Sequence, residues 1–94
     1  MKILHSPARV KVILEPDEAG GTWVAAVQWR GTRWRTQRTM TTWTYWGDWW
    51  LDADLEGEQR TYHLLATNHG EISLYHRQHR EAELCGWFLE GWYD

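Results

Sequence analysis

The chain has 94 residues, 24% of them charged, with a formal net charge of −3, one cysteine and nine tryptophans. That length predicts a single domain over residues 1–94, with 1–7 as a flexible or edge segment. The charge content and the lack of any low-complexity stretch exclude a disordered chain, lone Cys85 excludes an internal disulfide, and no apolar run reaches the roughly eighteen residues of a spanning helix.

The opening M-K-I-L-H-S-P-A holds no apolar run of signal-peptide length, so the expected location is the cytoplasm. Charge is divided unevenly. Residues 1–47 carry seven Lys or Arg against three Asp or Glu, a balance of +4, and residues 48–94 carry three against ten, a balance of −7. Such a split marks either a face for an acidic partner or two halves that neutralise one another in the fold.

Alternation with period two dominates the chain, and no long segment keeps a helical period. Residues 8–14, A-R-V-K-V-I-L, read as a first strand, broken by Pro16 and Gly20-Gly21. T-W-V-A-A-V-Q-W-R and R-W-R-T-Q-R-T-M then flank Gly31-Thr32 as a hairpin with a type II′ turn. This register sets Trp29 against Trp34, Gln28 against Arg35 and Trp23 against Met40. It turns Trp23, Ala25, Val27, Trp29, Trp34 and Met40 to the core and Gln28, Arg30, Arg33, Arg35 and Gln37 to solvent.

The next stretch, W43-T-Y-W-G-D-W-W50, packs four tryptophans into eight residues. With Gly47-Asp48 as a two-residue turn, Trp46 opposes Trp49 and Tyr45 opposes Trp50. Trp43, Tyr45 and Trp50 then share one face, and Trp46, Trp49 and Leu51 the other. Both faces are aromatic, so the hairpin is either sandwiched in the domain or meets a partner. A competing helical reading, with Asp48 as N-cap, ends almost at once at Gly57.

After the acidic 52–58 loop, R-T-Y-H-L-L-A-T and E-I-S-L-Y-H-R flank Asn68-His69-Gly70, a three-residue loop with a G1 bulge. That loop places Tyr62, Leu64, Ala66, Ile72 and Leu74 on one face. A final strand follows in G-W-F-L-E-G-W-Y-D. Six or seven short strands imply a mainly β fold: one strongly curved antiparallel sheet or partly open barrel around a tryptophan-rich core.

Chemistry is sparse. His63 and His76 fall on opposite faces in this register and His69 at a turn tip, so no three or four ligands converge and no metal is expected. Asp52 lies opposite Trp43 with no partner carboxylate, and neither a nucleophile motif nor a phosphate-binding glycine loop is present. No catalytic residue, cofactor or small-molecule substrate follows. Arg30, Arg33 and Arg35 project together beside the first turn, with guanidinium geometry suited to carboxylates or phosphates. Three readings of that face stay open: a solvated surface, a contact for an acidic protein, or, with exposed tryptophans, a single-stranded nucleic-acid site.

The ordered run W29-R-G-T-R-W34, W43, W49-W50, R60-T-Y62, G70-E-I-S-L-Y75, G86-W-F-L89 and Y93-D94 resembles a small bacterial tryptophan-rich domain family of unknown function. The resemblance spans roughly residues 8–94. Trp34 departs from it, standing where a smaller aromatic is usual, as does His76. Members occur free-standing or at the carboxyl-terminal tail of the inactive Y-family polymerase-like mutasome subunit. The resemblance implies a non-enzymatic accessory module near DNA damage tolerance, and it transfers no catalytic residue.

The sequence thus predicts an interaction module for a protein partner or a second copy of itself. It would dock through Trp43, Tyr45, Trp46, Trp49 and Trp50 and use the Arg30, Arg33 and Arg35 face. The alternative is single-stranded nucleic-acid binding by the same arginines.

Overall fold

The computed structural model describes residues 2–46 and 58–93. Six antiparallel strands follow one another there: β1 (Lys2–Pro16), β2 (Thr22–Trp29), β3 (Thr32–Trp46), β4 (Gln59–Thr67), β5 (Gly70–Gln78) and β6 (Gly86–Tyr93), with one 3-10 turn at Ala82–Leu84. Each strand pairs with its neighbours in sequence, and β1 returns to β6, closing a barrel. The period-two pattern therefore translates directly into a mainly β fold.

Closure depends on the length of β1. Its first part pairs with β6, from Lys2 opposite Trp92 to Val10 opposite Trp87. Its second part, Lys11–Pro16, pairs with β2. The strand bridges the two sheet edges that would otherwise be left with unpaired amides and carbonyls. Where β1 crosses β6 the backbones come close: a Cβ on Gly91 would run into the Lys2 carbonyl. Glycine is required there for the approach.

Bulges bend the sheet and decide which side chains point inward. In the β1–β2 ladder Ile13 opposes Ala26 but Leu14 opposes Val24, so Ala25 is an extra residue on β2. An extra residue reverses the alternation beyond it. Val27 is inward on one side of the bulge and Val24 on the other, both buried. Trp23, expected in the core, is thereby turned to the other face and only half-buried.

Two hairpins differ from their expected turns. The β2–β3 ladder runs from Trp29 opposite Thr32 to Ala26 opposite Arg35. The turn is therefore Arg30-Gly31, both with positive φ (50° and 74°), the requirement of a type I′ turn. This register differs from the Gly31-Thr32 one by two residues, so it preserves the facing: Val27, Trp29 and Trp34 remain on the core side. In the β4–β5 hairpin Gly70 stays in the ladder opposite Thr67, leaving Asn68-His69 as the turn. Asn68 is held across to β3, its Oδ1 accepting from the Arg35 amide at 2.8 Å and its own amide donating to the Arg35 carbonyl at 3.1 Å.

That one-residue difference changes the core. Leu65, not Leu64, faces inward, opposite Ile72, and Tyr62 opposes Tyr75 on the outer face. The core is Val10, Val24, Val27, Leu65, Ile72, Leu74 and Leu89. Trp29, Trp34 and Trp92 close it at the end holding the two tight turns, with Trp29 and Trp92 at 5.0 Å between ring centroids. Leu65→Ala, which empties a fully buried site, is expected to cost about 2–5 kcal/mol, and Leu64→Ala only about 1 kcal/mol. Urea unfolding of the two variants checks this register.

Candidate functional site

The barrel register lines up one row of residues across five strands on its outer surface. Trp43 on β3 opposes Tyr62 on β4, which opposes Tyr75 on β5, then Phe88 on β6 and Arg9 on β1. The rings form a continuous ladder. Trp43 and Tyr62 are parallel (5.1 Å, 5°), Tyr62 and Tyr75 are tilted at 5.2 Å, and Tyr75 and Phe88 stack at 5.3 Å. Cross-strand aromatic pairs of this kind stabilise a sheet by roughly 0.2–1 kcal/mol each.

One end of the ladder is sealed by arginines. Arg9 and Arg77 lie over the Phe88 ring at 4.8 and 4.5 Å, and Arg60 over Tyr75 at 5.0 Å. Arg9 donates to the Cys85 carbonyl (2.8 Å) and the Glu83 carbonyl (3.2 Å), and Arg77 to the Leu84 carbonyl. The β5–β6 connection is thereby fastened over the rings. Buried Glu58 takes Arg60 at 3.1 Å and sits 3.8 Å from Arg77. Burial raises the Tyr75 hydroxyl above the ordinary tyrosine range, with Arg60 and Arg77 opposing the shift. Tyr75 and Phe88 are consequently inaccessible.

The other end is open. Trp43 is 47% exposed and Tyr45 38%. With Tyr62, Arg60 and Glu58 they line a surface pocket of about 410 Å³. Further back along β3, Arg33, Arg35 and Arg38 are exposed on the same outer side, since Arg38 pairs with Ala66 in phase with Trp43 and Tyr62. From Arg33 to Tyr45 the curved strand has a contour length of at most about 40 Å at roughly 3.3 Å per residue. The result is a stripe that is basic at one end and aromatic at the other.

Of the expected site residues, Arg33, Arg35, Trp43 and Tyr45 come together on this stripe. Arg30 is exposed too, but it occupies the turn with its guanidinium 4.5 Å from the Trp29 ring, out of line with the others. Trp46 closes β3 opposite Gln59. The turn at Gly47-Asp48, Trp49, Trp50 and the pairing of Asp52 with Trp43 lie outside the described residues; Trp43 itself opposes Tyr62. Among the described residues Arg33, Arg35 and Arg38 form no ion pair, and Glu58 bonds to Arg60 and Arg77 within its own half of the chain. Arg38, Arg60 and Tyr62 were not singled out by sequence, because their alignment with Trp43 depends on the β3–β4 register.

The inner face holds a second feature. The expectation that His63 and His76 face opposite sides is overturned. His76 opposes Thr61 and His63 opposes Leu74, so both imidazoles point inward, the consequence of the two-residue Asn68-His69 turn. Both contact Trp87, at 4.7 Å from His76 and 5.4 Å from His63. They line a cavity of about 400 Å³ at the end opposite the tryptophan plug, together with Leu14, Trp23 and Val24 and with hydroxyls including those of Thr42 and Thr61. Two imidazoles fall short of a metal's three or four ligands, and no cluster of three or more metal-binding side chains occurs among the described residues.

Fold and sites together define a small closed antiparallel barrel with an arginine-and-aromatic stripe outside and a chamber at one mouth. Comparison with protein-family models, curated proteins and solved structures found no match.

Burial lowers the pKa of both chamber histidines, and His76 adds a smaller electrostatic lowering at His63. As pH falls the unfolded chain therefore takes up protons before the folded one. Stability is unaffected above the ordinary histidine value of about 6.5 and declines as pH drops from there through the lowered folded values. Denaturant midpoints should be lower at about pH 5.5 than at about pH 7.5. A His63→Gln/His76→Gln double variant should show a smaller difference.

Proposed function

We propose that the protein is a non-enzymatic binding module whose β3 stripe receives an anionic chain bearing planar groups, single-stranded nucleic acid being the partner that fits it best. The reading rests on one observation. Exposed Arg33, Arg35 and Arg38 run in line with exposed Trp43 and Tyr45 on a single strand. Guanidinium groups attract phosphates, and an exposed ring offers a stacking platform worth roughly 1–3 kcal/mol per base. Tyr62 backs Trp43 in parallel contact, which holds the indole in place and lowers the entropy lost on binding.

The reading accords with the resemblance to the tail of a mutasome subunit, which implies a setting of damage-tolerant DNA synthesis, where single strands are at hand. An acidic protein segment is the second reading. The same exposed arginines and the Trp43, Tyr45 and Arg60 pocket favour it, because aromatic and arginine side chains are preferred interface anchors.

Fluorescence anisotropy with labelled single-stranded DNA, at low and at moderate salt, separates the two. The nucleic-acid reading expects micromolar binding that weakens steeply with salt through counterion release. Arg33→Ala/Arg35→Ala should flatten the salt slope, and Trp43→Ala should reduce affinity by about tenfold. Absence of binding at low salt would overturn it and leave the acidic protein segment.

A further inference from the structure

We propose that the chamber at the barrel mouth is a binding site for a small, uncharged, planar molecule of the heteroaromatic class. It is separate from the β3 stripe: the chamber is lined chiefly by inward positions and the stripe by outward ones. At about 400 Å³ its volume lies within the range of small-molecule pockets.

A barrel of this width ordinarily fills with its own side chains. Here the lower half does so, with the aliphatic core and the Trp29–Trp92 plug. Among the described residues the upper half does not. Thr39, Thr42 and Thr61 occupy inward positions facing Leu65, His63 and His76, where branched aliphatics would have completed the core. The β2–β3 ladder ends at Ala26 and Arg35, so Val24 of β2 faces Thr39 and Thr42 of β3 across the chamber with no strand pairing between them.

The chemistry of the walls selects the ligand. His76, Trp87 and His63 make one aromatic wall. A flat ring gains contact against it. Among the described residues the imidazoles and the three threonine hydroxyls have no hydrogen-bond partner in one another or elsewhere, which leaves them to the occupant. Neutral imidazole both donates and accepts, as does a hydroxyl. Burial keeps both imidazoles neutral near pH 7. No Asp, Glu, Lys or Arg is among the described lining residues, so an ionised ligand would lose hydration without gaining a counter-charge.

The test uses indole as the neutral probe and indole-3-carboxylate as its charged counterpart. Each is titrated into isotopically labelled protein at about pH 7.5 up to about 10 mM, above the roughly millimolar affinity that a nine-atom ligand supports. Indole is expected to shift the Trp87 side-chain resonance and the His63 and His76 ring resonances, leaving Trp29 and Trp92 unmoved. Indole-3-carboxylate should shift them at least tenfold less at equal concentration. Thr61→Trp, which fills the chamber, should abolish the shifts while the Trp29 and Trp92 signals report an intact barrel.

The proposal is overturned if indole moves nothing, if it moves only Trp43 on the outer ladder, or if the carboxylate binds equally well. Because the DNA test turns on labelled DNA and β3 variants and this one on the Trp87 resonance, either reading can fail alone. Should Thr61→Trp unfold the chain, the wild-type pattern of moved and unmoved tryptophans still decides.

Discussion

The geometry of this protein follows from closing only six strands into a barrel. A sheet that narrow must bend sharply, and extended strands bend by inserting extra residues. Ala25 on β2 is one such residue, and the β3–β4 ladder shifts register twice, between Thr36 and Arg38 and again between Thr39 and Thr41. Each bulge lets a strand turn a corner, and each exchanges its inner and outer faces. The bulges therefore decide where chemistry is displayed as well as how the sheet closes.

The two ends of the barrel use this freedom in opposite ways. At the end of the tight turns, the inward residues are large and apolar, and tryptophans complete the plug. At the other end the described inward residues include threonine and histidine, and a chamber remains among them. Aromatic residues serve both plans. Trp29 and Trp92 are core, Trp87 is a wall, and Trp43 is surface. Composition alone does not separate these roles, since an indole has enough apolar area for a core and enough polarity for an exposed site.

Outside, the same pairing that closes the sheet stacks Trp43, Tyr62, Tyr75 and Phe88 into one ladder. Arginines cover its far end, because their stems and guanidinium planes pack on rings while their donors reach the carbonyls of the β5–β6 connection. Left open, the near end meets solvent beside the basic run of β3. A stability device thus becomes a presented surface at the point where its cover stops.

Period-two alternation, with glycine and proline breaks, was sufficient by itself to determine a mainly β fold, a strongly curved antiparallel sheet or partly open barrel; its closure through β1 and β6 belongs to the tertiary structure. The facing of the first hairpin near its turn was legible too: a one-residue error in turn position shifts the register by two and keeps the neighbouring side chains on their own side, so Arg33 and Arg35 were read as outward and Val27 and Trp34 as inward. Tertiary structure decided the rest. A one-residue difference at Asn68-His69 reverses a whole hairpin, bringing His63 and His76 together and Leu65 into the core. The Ala25 bulge does the same to Trp23. The first depends on the bonds of Asn68 to Arg35 of β3, distant in sequence, and the second on how β2 pairs with β1, and neither is encoded in the local pattern of side chains.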